Sequence, residues 1–339
     1  MLKDISQLFG PIPSYSYMPG VYKEENQSYF SKAISLCQES NMFCRKTLLG
    51  IGENEMVVRE FFDNSTIVSI IKAIIDIFIQ NIKELVEHFL NAMGVFTKGE
   101  AHIEKYASQI LKFDGVLRIE DFYHYKYTNL EADIPPLDIN KQILSEYDRL
   151  VDKLKKIGRE KYRDDLIKSL NTFAIESKRD FKDKDIFLLR GRIVNKRHGC
   201  SRELYSEELY KIFRNGKTAG ELGEIHQEEI HEAYRRWKNG DIFEKDIKHQ
   251  RKIIEANAAE IKKRIRNIDL ALVTNGNYTS DYDLDNLLNN IIRIECDKIQ
   301  EICNTTVLAF GTKLDALKEA LIQDKKVLYY TISEIIKAG

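Results

Sequence analysis

The sequence predicts a mainly α-helical protein, an elongated helical bundle with a coiled-coil-like hairpin and a small β element near residues 115–130. Three observations lead to this fold class. Apolar residues recur at steps of three and four over several long stretches, which places them on one side of a helix. The clearest run of this kind spans 243–272. All five prolines lie at or before Pro136, so the rest of the chain can form long uninterrupted helices.

The composition limits the size and the partners of the protein. The chain has 339 residues, enough for one large or two ordinary domains, and 43% of them are hydrophobic. Lys plus Arg number 52 against 53 for Asp plus Glu, whereas dedicated nucleic-acid-binding proteins usually have a basic excess. The five cysteines include no C-x-x-C pair, and the N-terminus has no signal-peptide pattern. We therefore expect reduced thiols and synthesis in a cytoplasm.

The first two predicted segments are an arm and a helix. Residues 1–22 contain GPIPSYSYMPG and predict an extended arm, which either docks on a neighbouring subunit or frays. The region 23–136 that follows is predicted to be helical apart from one strand segment. Its first helix covers 26–47, where Cys37 and Cys44 lie two turns apart. This spacing favours core positions over a metal site for the two thiols.

The densest apolar run, 66–96, predicts the most hydrophobic helix of the chain. Lys72 and Asp76 interrupt it, whereas a membrane-spanning helix needs about 20 mostly uncharged residues. A face this apolar has to be covered by protein or by lipid. The pattern favours a buried bundle helix, and the alternative is an amphipathic helix that meets a membrane or a partner. Its stripe consists of Ile67, Ile71, Ile74, Phe78, Ile82, Leu85, Phe89 and Met93.

The segment 115–130 is the best strand candidate, because apolar and polar residues alternate there and aromatic residues are frequent. Pro135-Pro136 marks the predicted end of the N-terminal region. From 137 to 339 the pattern changes to a bundle of long helices. Shorter helices are predicted at 203–213 and 222–238 within this bundle.

The last two long helices are predicted to form an antiparallel hairpin. The run 243–272 keeps apolar residues at four-three spacing, and Asn275-Gly276-Asn277 follows it as a turn. A second apolar stripe then extends over 283–336, with Gly311 as a candidate position for a bend. A short turn between two long helices is typical of antiparallel neighbours.

Three patterns resemble ligand sites, and each lacks a required residue. Gly216-Lys217-Thr218 resembles the end of a phosphate-binding loop, but Lys211 occupies the place of its first glycine. His226 and His231 are five residues apart, which rotates the second ring by about 140° from the first, and the helical zinc motif needs four. Acidic residues surround both histidines, which favours a solvated helix face.

The third pattern is the triplet Asp281, Asp283 and Asp285, which resembles the start of a calcium loop. Asn286 and Ile292 stand where that loop requires glycine and glutamate. Acidic residues at a helix N-terminus, which the helix dipole favours, account for the triplet.

Three basic clusters stand out: Lys196-Arg197-His198, Arg235–Lys238 and Lys262–Arg264. Trp237 beside arginines could stack on a nucleic-acid base. Acidic residues surround each cluster, however, and this favours solvated helix faces. Cys200 follows His198 closely, but no triad that would activate the thiol is visible.

In general pattern the chain resembles the helical virion structural proteins of large tailed bacteriophages, which combine an apolar helix such as Ile67–Phe96 with a helical body rich in Lys and Glu. The resemblance lies in the general pattern of apolar and charged helices, includes no diagnostic motif, and extends over most of the chain. It implies a structural component of a capsid, neck or tail, present in many copies and located in the virion or the host cytoplasm.

We therefore expect a non-enzymatic structural or assembly protein with no cofactor, metal or catalytic residue, which forms oligomers or binds other assembly subunits through its helices. The first alternative is a membrane-active or ejected protein whose helix 66–96 inserts into a bilayer. The second is a nucleic-acid-associated helical protein that uses Arg235–Lys238 and Lys262–Arg264. The residues expected to make protein contacts are Ile67, Ile71, Ile74, Phe78, Ile82, Leu85, Phe89, Ile254, Ile261, Ile265 and Ile268.

Overall fold

The computed structural model describes residues 28–44, 64–97, 101–120, 124–125, 127, 130, 139–183, 214–215, 222–266 and 282–338. Over these ranges the protein is mainly α-helical, which confirms the predicted fold class. The predicted arm 1–22, the helix 203–213 and the turn at 275–277 lie outside the described residues.

One helix organises the described part of the chain. The helices are α1 (Tyr29–Phe43), α2 (Asn64–Thr97), α3 (Ala101–Lys105), α4 (Ala107–Ile110), α5 (Ile139–Ile157), α6 (Arg163–Asp183), α7 (Gln227–Lys238), α8 (Asp241–Arg266) and α9 (Tyr282–Ala338). The last of these, called the central helix below, has 57 residues and is about 85 Å long at 1.5 Å per residue. Helices α1, α2, α5, α6 and α7 all pack against it.

The predicted apolar helix 66–96 forms α2, and its apolar face points into the molecule. The face packs against the central helix, α8 and α1. In this conformation the wide stripe is therefore covered by the same chain. None of the described helices is both long and apolar enough to cross a membrane. The stripe residues with exposures of 3% or less are Ile71, Ile74, Phe78, Ile82, Leu85, Phe89 and Met93.

The neighbour of α8 differs from the one that the sequence predicts. Helix α8 packs mainly against α2 and α5, so it is not paired along its length with the central helix. Lys313 of the central helix donates a hydrogen bond to Gln250 of α8 and links the two. The stripe of α8 correctly indicates which residues are buried, but it carries no information about which helix covers them.

The predicted strand segment is confirmed, and its partner is a segment that the sequence predicted as helical. The strands are β1 (Leu117–Glu120), β2 (His124–Tyr125), β3 (Arg214–Asn215) and β4 (Leu222–Ile225). β1 pairs with β4 in antiparallel fashion, with Leu117 opposite Ile225, and β2 pairs with β3. The prediction of helix from residue 222 was therefore wrong by five residues, since α7 begins at Gln227.

Among the described residues the hydrophobic core has three clusters, and the central helix contributes to each of them. The largest lies among α1, α2, α5, α8 and the central helix. A second joins β1, β4, α3, α4 and α7 to the C-terminal part of the central helix, and a third joins α5 and α6 to its N-terminal part. The largest cluster combines residues from both sides of the predicted boundary at 136, and the division of the chain there stays a prediction.

Candidate functional site

Among its described side chains, the central helix carries five charged ones that are almost fully buried. They are Glu295, Lys298, Lys313, Asp315 and Asp324, and each is at most 5% exposed. A buried charge without partners destabilises a fold strongly, so such groups persist where they are paired and hydrogen-bonded. Their partners therefore show what each charge does.

The first group is the Glu295 cluster, which consists of Glu146 and Arg149 on α5 and Glu295 and Lys298 on the central helix. One terminal nitrogen of Arg149 (Nη2) donates to both carboxylate oxygens of Glu295 at 2.7 Å. Lys298 donates to Glu295 at 3.0 Å, and Arg149 Nε donates to Glu146 at 3.2 Å. Burial lowers the pKa of Lys298. Two cations and two carboxylates thus balance at the contact between α5 and the central helix.

The second group links α8 to the central helix. Lys313 Nζ donates to the side-chain oxygen of Gln250 at 2.7 Å. The amide nitrogen of Gln250 in turn donates to Asp246 Oδ2 at 2.8 Å. The buried ammonium therefore reaches a carboxylate through one intervening amide.

The third group is the Asp315 clasp, in which the central helix caps the N-terminus of α1. The carboxylate of Asp315 accepts hydrogen bonds from the backbone N–H of Tyr29 at 2.8 Å and of Phe30 at 2.9 Å, and from the hydroxyl of Ser28 at 2.5 Å. The first N–H groups of a helix have no partner within it, and the helix dipole favours an anion there. Burial raises the pKa of the Asp315 carboxyl.

Gly311 lies one turn before Asp315 and lets the two helices approach closely. A Cβ atom at this position would lie 2.7 Å from the carbonyl oxygen of Tyr29 and 2.9 Å from Cβ of Ala33. Both separations are below the contact distance of real Cβ atoms. The helix runs through Gly311 without interruption, so this glycine serves close packing, and the predicted bend there is not needed to explain it.

The fourth group is the Arg236 node, which consists of Arg236 on α7, Asp324 on the central helix and Tyr127. Arg236 makes a two-pronged ion pair with Asp324, with Nε and Nη2 each 2.8 Å from a different carboxylate oxygen. The hydroxyl of Tyr127 donates to the same carboxylate at 2.8 Å. The guanidinium carbon also lies 3.7 Å from the centre of the Tyr127 ring. Burial raises the pKa of Tyr127 and of Asp324.

The residues predicted to make protein contacts lie inside this single chain. On α2, Ile71, Ile74, Phe78, Ile82, Leu85 and Phe89 are buried; on α8, Ile261 and Ile265 are buried and Ile254 is partly buried. Ile268 and the side chain of Ile67 lie outside the described residues. As contact residues for a partner these positions stay a prediction, and the conformation described here offers a partner no access to the buried ones.

Most of the basic side chains predicted for nucleic-acid contact have partners within the chain. Arg236 is held in the Arg236 node, and Trp237 is buried. Arg235 pairs with Glu232 on the same helix. Lys262 forms an ion pair with Asp76, and Arg264 forms one with Asp148 at 2.8 Å. The cluster Lys196-Arg197-His198 lies outside the described residues.

The two patterns that resemble metal sites each place a residue at the N-terminus of a helix. The backbone N–H of His226 donates to the side chain of Glu229 at 3.0 Å, a contact that caps the N-terminus of α7. Asp283 lies in the first turn of the central helix and faces Arg163 at 3.4 Å. Within the described ranges, no group of three or more His, Cys, Asp or Glu side chains could hold a metal ion.

Four of the cysteines lie between α1 and the central helix as free, buried thiols: Cys37, Cys44, Cys296 and Cys303. The expected core positions of Cys37 and Cys44 are thus confirmed. Burial raises the pKa of Cys37 to about 12 and that of Cys44 to about 11. A thiol rather than a thiolate is therefore present at neutral pH, and a thiol is the unreactive form.

Sequence reasoning missed the five buried charges of the central helix because it assigned charged residues to exposed faces. One signal could have found two of them. The stretch 302–317 has apolar residues at almost all helical angles, a pattern of helices that are covered on every side. Charges within such a stretch, here Lys313 and Asp315, must then be buried together with it.

These arrangements position helices, since four of the five buried charges of the central helix are hydrogen-bonded to a flanking element. The fifth, Lys298, bonds Glu295 of the same helix and lies 4.0 Å from Glu146 of α5. No protein-family model, no curated protein and no solved structure matches this chain.

Proposed function

We propose that this protein is a non-enzymatic structural or assembly component that acts through helix-mediated protein contacts. The observation that supports the proposal most strongly is the bonding of the central helix. One continuous helix of 57 residues is bonded through buried charges to α1, α5, α7 and α8. A scaffold of this kind holds its surfaces at fixed separations, which is what a subunit of an assembly requires.

The chemistry of the buried charges supports the same proposal. A buried ion pair adds little net stability compared with apolar packing, but the loss of one partner is strongly destabilising. Such pairs therefore penalise any arrangement of the helices other than the one that satisfies them. The ionisable groups of the Glu295 cluster and the Arg236 node already bond one another, and this favours a positioning role over acid–base chemistry.

In its specific form the proposal is a component of a bacteriophage virion, present in many copies. It rests on the resemblance of the sequence pattern and on the scaffold described above. Peptide mass spectrometry of purified particles from the source of the gene tests this form directly. Peptides of this chain in intact, washed particles would support it, and their absence from particles of otherwise complete composition would contradict it.

The general form is tested by the mass of the protein in solution. Sedimentation equilibrium over a wide range of concentrations should reveal species heavier than the 39.5 kDa monomer. Mixing with the other structural proteins of the same source provides a second measurement, because some subunits associate only with a different partner. A strict 39.5 kDa monomer in both measurements would contradict the proposal.

A further inference from the structure

The contact between α1 and the central helix is built differently from the rest of the core. Several small side chains line it, among them Ala33 and Cys37 of α1 and Cys303 and Gly311 of the central helix. The larger buried side chains of α1 are Tyr29, Phe30 and Leu36. Helix α2 instead buries a long row of isoleucine, leucine and phenylalanine side chains. Because hydrophobic stabilisation grows with the apolar area that is buried, α1 is held less firmly by this effect than α2.

Polar contacts provide much of the attachment of α1. The Asp315 clasp holds its N-terminus, and Asn304 donates to Asn41 at 2.9 Å near its C-terminus. Asn81 of α2 donates to Ser40 at 2.9 Å, and Lys32 forms an ion pair with Glu84 at 2.9 Å. Neutral hydrogen bonds are replaced by bonds to water when a helix is released, so their net contribution is small. The bonds to the Asp315 carboxylate are charge-assisted and are therefore the polar contacts that oppose the release of α1 most.

We propose that α1 is a latch, that is, a helix that leaves the central helix as a unit while α2 and α5–α9 stay folded. Proteins open locally in cooperative units, and the least stable units are those with few buried apolar contacts. Release would expose the buried side chains of Tyr29 and Leu36 and the groove beside Gly311. This inference is independent of the proposed assembly role and would hold if that role were wrong.

The thiols between the two helices report this opening. Tyr29 lies beside Gly311 and Asn41 beside Asn304, so α1 runs antiparallel to the central helix. In this register Cys44 falls close to the middle of the segment between Cys296 and Cys303. The Sγ atom of Cys37 lies 3.6 Å from the carbonyl oxygen of Asn304, to which it donates. Release of α1 would therefore bring all four buried thiols into water in one event.

The test measures the rate at which a maleimide modifies each cysteine of the folded, full-length protein. Cys200, which lies outside the described residues, is replaced by Ser so that the four described thiols are followed alone. Mass spectrometry of the digested protein assigns the modification to each site. Denaturant unfolding of the same variant provides the global free energy for comparison. The latch predicts that all four cysteines react together and faster than global unfolding allows.

Two substitutions separate the latch from global unfolding. Asp315→Asn removes the charge that caps α1 and should raise the rate at all four cysteines by about tenfold or more. Phe173→Leu lies in the third core cluster, between α5, α6 and the central helix, and should lower global stability. Because these contacts persist when only α1 leaves, this second variant should leave the modification rates unchanged.

Three results would overturn the proposal. One is a rate that matches global unfolding in the starting protein. Another is a rise in the rate for Phe173→Leu in proportion to its loss of global stability. The third is modification of Cys296 and Cys303 without Cys37 and Cys44, since a leaving α1 exposes both pairs. If Phe173→Leu fails to fold, Ile157→Val replaces it, because Ile157 lies in the same core cluster away from α1 and the smaller change lowers global stability less.

Discussion

Removal of the arginine from the Arg236 node is the perturbation whose effect the structure predicts most sharply. Arg236→Met keeps an apolar side chain of similar length and removes both hydrogen bonds to Asp324. The carboxylate is 5% exposed, so water cannot replace the lost partner without a change in structure. Breaking a buried pair in this way typically destabilises a protein by about 3–5 kcal/mol. We expect a loss of this size in the free energy of unfolding.

Two further variants establish the origin of the loss. Asp324→Leu combined with Arg236→Met removes both charges, and the double variant should regain most of the stability that Arg236→Met loses. Arg264→Met breaks the pair with Asp148, whose side chains are 54% and 39% exposed. An exposed pair contributes about 0–1 kcal/mol, so this matched control should have little effect.

The pH dependence of Arg236→Met provides an independent check. Burial already raises the pKa of Asp324, and Arg236 is the main group that opposes this rise, with a smaller effect from the Tyr127 hydroxyl. Without Arg236 the folded-state pKa lies higher still above that of the unfolded chain. A raised carboxyl pKa means that the folded state binds more protons than the unfolded state. The contribution of this carboxyl to stability is therefore greatest at low pH and is lost as pH rises through the folded-state pKa. Arg236→Met should therefore regain stability relative to the starting protein when the pH is lowered toward 5.

The assay is urea unfolding followed by far-ultraviolet circular dichroism, at neutral pH and near pH 5. The dependence of the unfolding free energy on urea concentration is compared among the variants. A loss below about 1 kcal/mol for Arg236→Met, no larger than that of Arg264→Met, would refute the reasoning. A double variant that is less stable than Arg236→Met would also refute it, because the cost would then not arise from an unpaired charge.

Three other predictions follow from the packing. Gly311→Val should lower the free energy of unfolding by about 1–3 kcal/mol, since its side chain would overlap the backbone at Tyr29; an unchanged or higher stability in urea would show that the close contact is absent. Cys37 and Cys44 should react with a thiol reagent at pH 8 at least about a hundredfold more slowly in the folded protein than in urea, because burial raises their pKa to about 12 and about 11; equal rates would contradict their burial. The protein should stay in the lower fractions of a liposome flotation gradient at neutral pH, because the apolar face of α2 is covered; flotation with lipid would favour the membrane-active alternative.

The sequence correctly indicated buried residues wherever apolar residues formed a stripe along one side of a helix. The stripes of α2 and α8 correctly indicated buried residues such as Phe89 and Ile261. They did not indicate the neighbour, because any apolar stripe of suitable width can cover another. For this reason the predicted pairing of α8 with the central helix differs from the packing on α2 and α5.

Features that depend on distant parts of the chain were hidden from sequence reasoning. β1 was predicted because it lies in a long segment of alternating residues, whereas β4 leads directly into a helix and has its strand partner about a hundred positions away. Local pattern assigned β4 to the following helix. Asp315 offers another example, since a residue that caps the helix at Tyr29 cannot be recognised without knowing that the two segments meet.

The most direct test of the scaffold is the distance between two spin labels on the central helix. Labels introduced as noncanonical amino acids at Asn286 and Tyr330, which both lie on the exposed side, leave the cysteines unchanged. A continuous helix places these positions about 66 Å apart at 1.5 Å per residue. We predict one narrow distribution near this distance in pulsed electron paramagnetic resonance. A broad distribution, or one centred at a much shorter distance, would contradict a single fixed central helix.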